Sequence, residues 1–524
     1  MYDTYYHQDY SAGLNDTASP IDIAPSEASV LRNWDITHIG KLIRRDGLIQ
    51  VGNTISANPI TGLGSYIRDS GKDILCTEST NLYYLNGTTW TKLQNTLTSE
   101  KLWFENVQAL SKVFMSSENN LLQSWDRSSA TLNTCITQQA TGNPHGNVIR
   151  WHKNHMFTLN NANVSGTKYP NRIYWSALGD PTIWDNVNNY TEVPGNGRVI
   201  TAVDLGDNLV IFKERSIQYL SGWGDNSWKI TGSTSNYANV DEQVGCIAPR
   251  GACRVGNEIW FVDELGQIRR LYQTDFDPLR KDIISKKIQT TLSGLNRTQI
   301  SQALAWSWNN KVYFAFPNGT DTHNSILCVF DLIAAQRITQ SPYFPQEAWT
   351  TYTGLTPNVF EDYLTNTTPD LYIGDATTGK VYIHSGNDDN GVAIDAVWEG
   401  KDDGYGHVDR YKRYAYGYIT AQSGQSGVLV GLYASVDSTG YANINTLDLT
   451  GKGSRLGPTG SFRLGPTGKA MLGGSTKNQT KYYFTAGGGN PSGETLRMSI
   501  RHKVVGQKPT VNTFTVNYKL RDLR

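Results

Sequence analysis

Several stretches of this 524-residue chain bring reactive or ligating side chains close together. Gly-Pro-Thr-Gly-Lys-Ala from Gly465 resembles a phosphate loop, in which backbone N–H groups and a lysine cradle phosphates and a following Ser or Thr holds magnesium. Arg463 stands where the first glycine of such a loop belongs, and Ala470 where the metal ligand belongs, so a nucleotide site is not expected. His152 and His155 lie three apart; on a single strand that spacing sends them to opposite faces and gives no shared metal vertex. Ser385 to Gly391 gathers Asn387, Asp388, Asp389 and Asn390, hard oxygen donors that calcium accepts, at a spacing that matches no EF-hand and that also suits an ordinary Asx turn. Asp263 and Glu264 are adjacent carboxylates whose use as an acid/base couple depends on geometry. No G-x-S-x-G elbow occurs, and no cofactor is expected. Trp175, Trp184, Trp306 and Trp308 could stack on sugars or bases, but alternation places Trp306 and Trp308 on one face, as core packing also requires.

Composition narrows the classes further. Lys plus Arg equals Asp plus Glu at 47 each, which removes the usual footprint of a protein that grips nucleic acid or anionic lipid. Contact with DNA is then local or transient. The basic clusters from which DNA-channel or interface contacts would come are Arg44, Arg45, Lys213, Arg215, Arg269 and Arg270. Cys76, Cys135, Cys246, Cys253 and Cys328 are odd in number and widely spaced, as free, mostly buried thiols are. No apolar run approaches the roughly 18 residues of a membrane span, and the N-terminus lacks the pattern of a signal peptide, so synthesis in a cytosol without membrane insertion is expected. Asn86-Gly-Thr and Asn318-Gly-Thr read as turns.

The elements that must position these residues are strands. Abundant Gly, Tyr, Thr and Asn with only 18% charged residues suit tight turns between pleated strands, and an all-β protein is expected. Ile74 to Gly87 aligns without a gap on Leu209 to Gly222: a strand, a polar turn, and a second strand ending Tyr-Leu-x-Gly. Looser copies start at Val113, His155, Ile259, Val312 and Leu371, so seven hairpins recur about 40 to 60 residues apart. That period leaves room for two more strands per unit, which predicts a β-propeller of about seven blades over residues 51–395. A β-sandwich explains the hairpins less well, because its strands recur every 8–12 residues or so.

Beyond about residue 395 the repeat stops. Phe514, Val516, Tyr518 and Leu520 would share one face, and residues 396–524 read as a β-sandwich or jelly-roll-like domain carrying a loop in which Arg-Leu-Gly-Pro-Thr-Gly occurs twice, at Arg455 and Arg463. Residues 1–50 read as an extended arm with a short helix from Ser26 to Trp34, lying on the propeller or reaching a partner subunit.

Three stretches carry a family resemblance: Ser11 to Gly47, opening on Gly13-Leu14-Asn15; Asn171 to Asn186, with Gly179-Asp180-Pro181 and Trp184; and Asn208 to Gly222. Their order and spacing resemble the β-propeller tail hub or nozzle proteins of short-tailed bacteriophages, also called packaged-DNA stabilisation proteins. The closing strands from Leu496 and Val516 are similar as well. The resemblance implies a non-enzymatic virion component made in the bacterial cytoplasm: a homo-oligomeric, sixfold ring below the portal and adaptor of the head-tail connector. Such a ring lines the exit channel, touches double-stranded genomic DNA transiently during ejection, helps retain it, and attaches fibre, spike or distal tail proteins. Two other classes remain open from the residues alone: a carbohydrate-binding recognition propeller, and a propeller glycosidase with two carboxylates facing across its central pocket.

Overall fold

The computed structural model describes residues 2–37, 39–68, 71–94, 97–98, 101–127, 136–138, 144–222, 228–231, 244–272, 280–338, 347–364, 368–407, 409–423, 428–449, 480–485 and 492–521. The doubled Arg-Leu-Gly-Pro-Thr-Gly loop, the phosphate-loop look-alike and Cys135 lie outside the described residues.

The seven hairpins are the second and third strands of seven antiparallel sheets. In the first, Gly71–Glu78 and Asn81–Asn86 pair with Leu82 opposite Thr77, flanked by Ile60–Arg68 and Thr89–Gln94. The leading strand of every sheet touches the leading strands of the next and the previous sheet, so the seven close a ring around one axis. The sheets span 60–94, 103–138, 148–192, 199–231, 252–283, 304–353 and 357–384, and are called here the first to seventh blades. The seventh takes its outer strand, Leu48–Val51, from the arm, with Ile49 opposite Ile383. That strand lies before the boundary expected at residue 51. It ties the start of the chain to the last blade, so the ring cannot open without breaking this ladder.

Strand alternation gives each blade two apolar faces, and each of the seven interfaces buries its own cluster. Trp175 packs between the third and fourth blades, Trp184 between the second and third, and Tyr66 with Trp125 between the first and second. Cys76, Cys246 and Cys328 are buried free thiols and Cys253 is half-buried. Gly87 and Gly319 sit in tight turns at positive φ, as expected of Asn86-Gly-Thr and Asn318-Gly-Thr.

The C-terminal region is a two-sheet sandwich. One sheet runs Val30–Arg32, Ala396–Asp403, Leu496–His502, Leu429–Val436, Ala442–Asp448. The other runs Thr480–Thr485, Lys412–Ser423, Pro509–Leu520, Leu42–Arg44, Trp34–Ile36, with Asp3–His7 also paired to Pro509–Leu520. Phe514, Val516 and Tyr518 face the core beside Trp398, as the alternation predicts. The first sheet continues directly from the sixth blade, because Val30–Arg32 adds in parallel to Trp349–Thr353. Propeller and sandwich therefore share one apolar core, in which Phe330 and Trp349 meet at 4.9 Å.

Two expectations are corrected. Ser26 to Trp34 is not helical: it forms the short strands Glu27–Ala28, Val30–Arg32 and the start of Trp34–Ile36. Sheet edges on both sides supply its backbone partners, and this tertiary pairing overrides helix propensity. His152 and His155 do not point apart. They are cross-strand partners around a two-residue turn at Lys153 and Asn154, both at positive φ, and so share one face.

Candidate functional site

The arm carries a buried polar network that ties separate parts of the fold together. Asn33 adopts a left-handed φ of 58° and is buried. Its amide donates to the Asp395 carbonyl at 2.9 Å and to Thr353, and its oxygen accepts from the Thr353 N–H and from Arg45 Nε at 2.8 Å. Arg45 then donates to the carbonyls of Asp46 and Thr353 and, in a two-point pair, to both oxygens of Asp389. One asparagine and one arginine thus join the sixth blade, the loop after the seventh, and the lead into the sandwich. This use of the Ser385–Gly391 loop explains its Asx residues. Asp389 is held by Arg45, and Asp388 accepts the Gly391 N–H to shape the turn.

The family-resemblance residues are structural too. Gly13 sits at φ +68°, and a Cβ there would lie 2.7 Å from the Trp349 carbonyl oxygen, so the arm can pass this close to the sixth blade only as glycine. Leu14 is buried, and Asn15 donates to Glu27 while accepting from the Ala18 N–H. In the third blade, Arg172–Ala177 turns through Leu178 and Gly179, at φ +74°, into Asp180–Trp184. Asp180 accepts from the Thr182 N–H and hydroxyl, and the Pro181 carbonyl accepts Trp184 Nε1–H at 2.7 Å. These bonds build a blade corner.

The six basic candidates do not form one surface, which corrects their reading as a set of channel contacts. Arg44, Arg45, Lys213 and Arg270 are buried. Lys213 donates to the Val193 and Gly195 carbonyls, Arg44 to that of Asn387, and Arg270 faces Glu258 and Asp282. Interior positions cannot reach a phosphate backbone. Arg269 is paired with Asp263, and only Arg215, paired with Glu264, projects from the surface. Asp263 and Glu264 consequently serve different partners and do not act as a couple.

Around the propeller axis lies a cavity of about 380 Å³ to which all seven leading strands contribute. Its walls include Trp103, Phe104, Phe360, Arg150, Arg250 and Glu361. Leading strands have one free backbone edge, and side chains of neighbouring blades satisfy it. Glu361 accepts from the Ser65 N–H at 3.1 Å and hydroxyl at 2.6 Å, Glu105 from the Trp151 N–H, and Asn106 from the Ile67 N–H; Arg150 donates to the Ala202 carbonyl. Two ties cross the bore itself. Arg250, entering the fifth blade, donates to the Leu102 carbonyl of the second at 2.6 Å, and Lys101 reaches Gln302 ahead of the sixth. Burial pushes the Glu361 carboxyl up to about 8, opposed by the Ser65 hydrogen bonds and reinforced by Asp362 and Glu105. Burial, with Arg250 adding to it, lowers the Lys101 ammonium to about 7. Sequence reasoning did not single out these axial groups. Their signal was a charged residue inside the short strand preceding a hairpin, as in Trp103–Val107 and Pro357–Leu364.

His152 and His155, buried at the third blade, spend their Nδ1 atoms on Asp204 and the Ser176 carbonyl respectively. Among the described residues no group of three His, Cys, Asp or Glu side chains is arranged to hold a metal, and no helix is long and apolar enough to cross a membrane. Trp306 and Trp308 pack against the core between the sixth and seventh blades.

No family model and no curated protein sequence matches the chain. Among solved structures it is similar to the β-propeller domain of Cps50 (Swd1) from Myceliophteria thermophila, at 11% identity over 64% of this chain and 99% of that one, with a TM-score of 0.39. The WD40 β-propeller domain of Doa1 gives 11% identity over 65% and 96%, with a TM-score of 0.38. The computationally designed Ika8 protein gives 10% identity over 65% and 99%, with a TM-score of 0.36. The seven-bladed ring rests on the strand pairing of this chain itself.

Proposed function

We propose that the chain is a structural subunit of a short-tailed bacteriophage tail, a hub or nozzle protein that assembles into a ring below the portal and adaptor and surrounds the DNA exit path. The observation that carries this reading is the arm. The stretch from Ser11 to Gly47, which bears the family resemblance, is built as the keystone that makes propeller and sandwich one body, through Gly13 against Trp349 and Arg45 against Asp389. A subunit that holds pressurised DNA needs such rigidity and has no need of turnover. The glutamate side chains near the axis fit that role, because Glu361 and Glu105 tie adjacent blades together.

In this reading DNA does not run through the propeller. The bore is crossed by Arg250 and Lys101 and walled by aromatic rings, whereas a duplex has a major groove alone about 12 Å wide. The exit path is the space enclosed by several copies, and the balance of 47 basic and 47 acidic residues suits a wall that does not retard a sliding polyanion. Fibre, spike or distal tail proteins attach to the same ring. Light scattering on the full chain, alone and mixed with the adaptor protein of the same virus, tests this: a mass of several subunits is expected, and a chain that stays monomeric in both would contradict it.

A further inference from the structure

The axial cavity holds a guanidinium on which the acidic Glu361 acts only from beyond ion-pair distance. Arg250 lines it, spends Nη2 on the Leu102 carbonyl, and leaves Nη1 buried with no hydrogen-bond partner. No carboxylate among the described residues lies within ion-pair distance of this guanidinium. The arginines nearby are accounted for differently: Arg150 pairs with Glu105, and Arg254 donates to the Gly256 carbonyl. A guanidinium nitrogen buried without a partner is costly, and a ligand anion that reaches it removes that cost.

The rest of the lining restricts the anion, whose charge must stay at Arg250 and away from Asp204 and Asp362. Trp103, Phe104 and Phe360 supply apolar walls, with the Arg250 guanidinium 5.6 Å from the Trp103 ring centroid. A strongly hydrated dianion such as phosphate would lose its water to aromatic rings and one free donor edge. A monoanion with an apolar body keeps both halves matched, its charge on Arg250 and its body on the rings. Glu361 supports this, because a carboxyl that holds its proton near neutral pH donates to an acceptor where a carboxylate would repel it. A cavity of about 380 Å³ suits a small molecule.

We propose that the propeller axis is a binding site for a small organic carboxylate with an apolar or aromatic body, held by Arg250 against Trp103, Phe104 and Phe360. The site lies away from the arm, and the proposal is independent of the role in a tail ring.

The probe is benzoate, with benzamide as its uncharged counterpart, titrated calorimetrically into the full chain at neutral pH. Benzoate is expected to bind roughly tenfold or more tightly than benzamide, and Arg250→Gln to erase that difference. Equal affinities in the wild type, or a preference for benzoate that survives Arg250→Gln, would overturn the proposal. Because Arg250 also ties two blades, a second measurement leaves the protein unmutated: para-iodobenzoate is soaked into crystals of the full chain and its iodine located by anomalous scattering. An iodine peak in the bore beside Trp103 is expected, and iodine only elsewhere, or nowhere, would overturn the proposal.

Discussion

Arg45 and Asp389 meet in a two-point ion pair, Nη1 to Oδ1 at 2.9 Å and Nη2 to Oδ2 at 2.7 Å, with the arginine side chain wholly enclosed. The pair joins the arm to the loop that follows the last blade, 344 positions away in sequence. Removing one partner leaves a buried charge uncompensated, which costs about 3–5 kcal/mol. Asp389→Ala is therefore expected to lower the thermal midpoint by several degrees. Asp388→Ala, which loses the turn hydrogen bond accepted from the Gly391 N–H and a longer-range charge on Arg44, should cost about 1 kcal/mol. Parallel melts of the two variants check this, and equal losses would mean the ion pair is not the link.

Glycine at the arm and glycine at the blade corner are expected to differ. Both Gly13 and Gly179 have positive φ, so alanine strains either by about 1 kcal/mol. At Gly179 nothing lies within 4 Å of the added methyl, whereas at Gly13 it meets the Trp349 carbonyl oxygen at 2.7 Å. Gly13→Ala should therefore destabilise clearly more than Gly179→Ala in urea titrations.

Acid should weaken the fold before the carboxylates titrate. Burial holds His7, His384 and His502 down at about 4, against an ordinary value of 6.5. Their unfolded forms take up protons first, so the stability they confer is complete above pH 6.5 and is lost as pH falls towards 4. His7 stacks on Phe514 at 4.7 Å, and His384 sits among Arg45, Lys311, Asp35 and Asp46. His7→Phe should flatten part of the decline in midpoint across that window.

Glu361 acts with the opposite sign. Its carboxyl titrates at about 8 in the fold against 4.5 ordinarily, so the native state holds a proton that the unfolded chain has released throughout that interval. Stability from this group is full below 4.5 and falls as pH rises towards 8. Glu361→Gln should gain on the wild type as the buffer becomes more alkaline, and a difference in midpoint that does not grow with pH would contradict this.

The seven hairpins were legible in the sequence because alternation and a recurring turn are local signals, and the structure uses each as the central pair of a blade. The arm was not. Val30–Arg32 and Leu48–Val51 are strands only because sheet edges from residues far along the chain are there to receive them, and no local pattern marks that. The histidine pair was misread because its two-residue turn was taken as continuous strand. Arg45 and Lys213 read as candidates for channel or interface contacts because their actual partners come from elsewhere in the chain or from backbone carbonyls.

Class averages of the full chain, alone and mixed with the adaptor protein that the proposed tail role requires, recorded by electron microscopy, test the central claim most directly. A closed ring is predicted, with an open lumen on its symmetry axis wide enough for duplex DNA and each propeller's own bore closed in the wall around it. Single isolated subunits, or a ring whose only through-passages are the propeller bores, would contradict it.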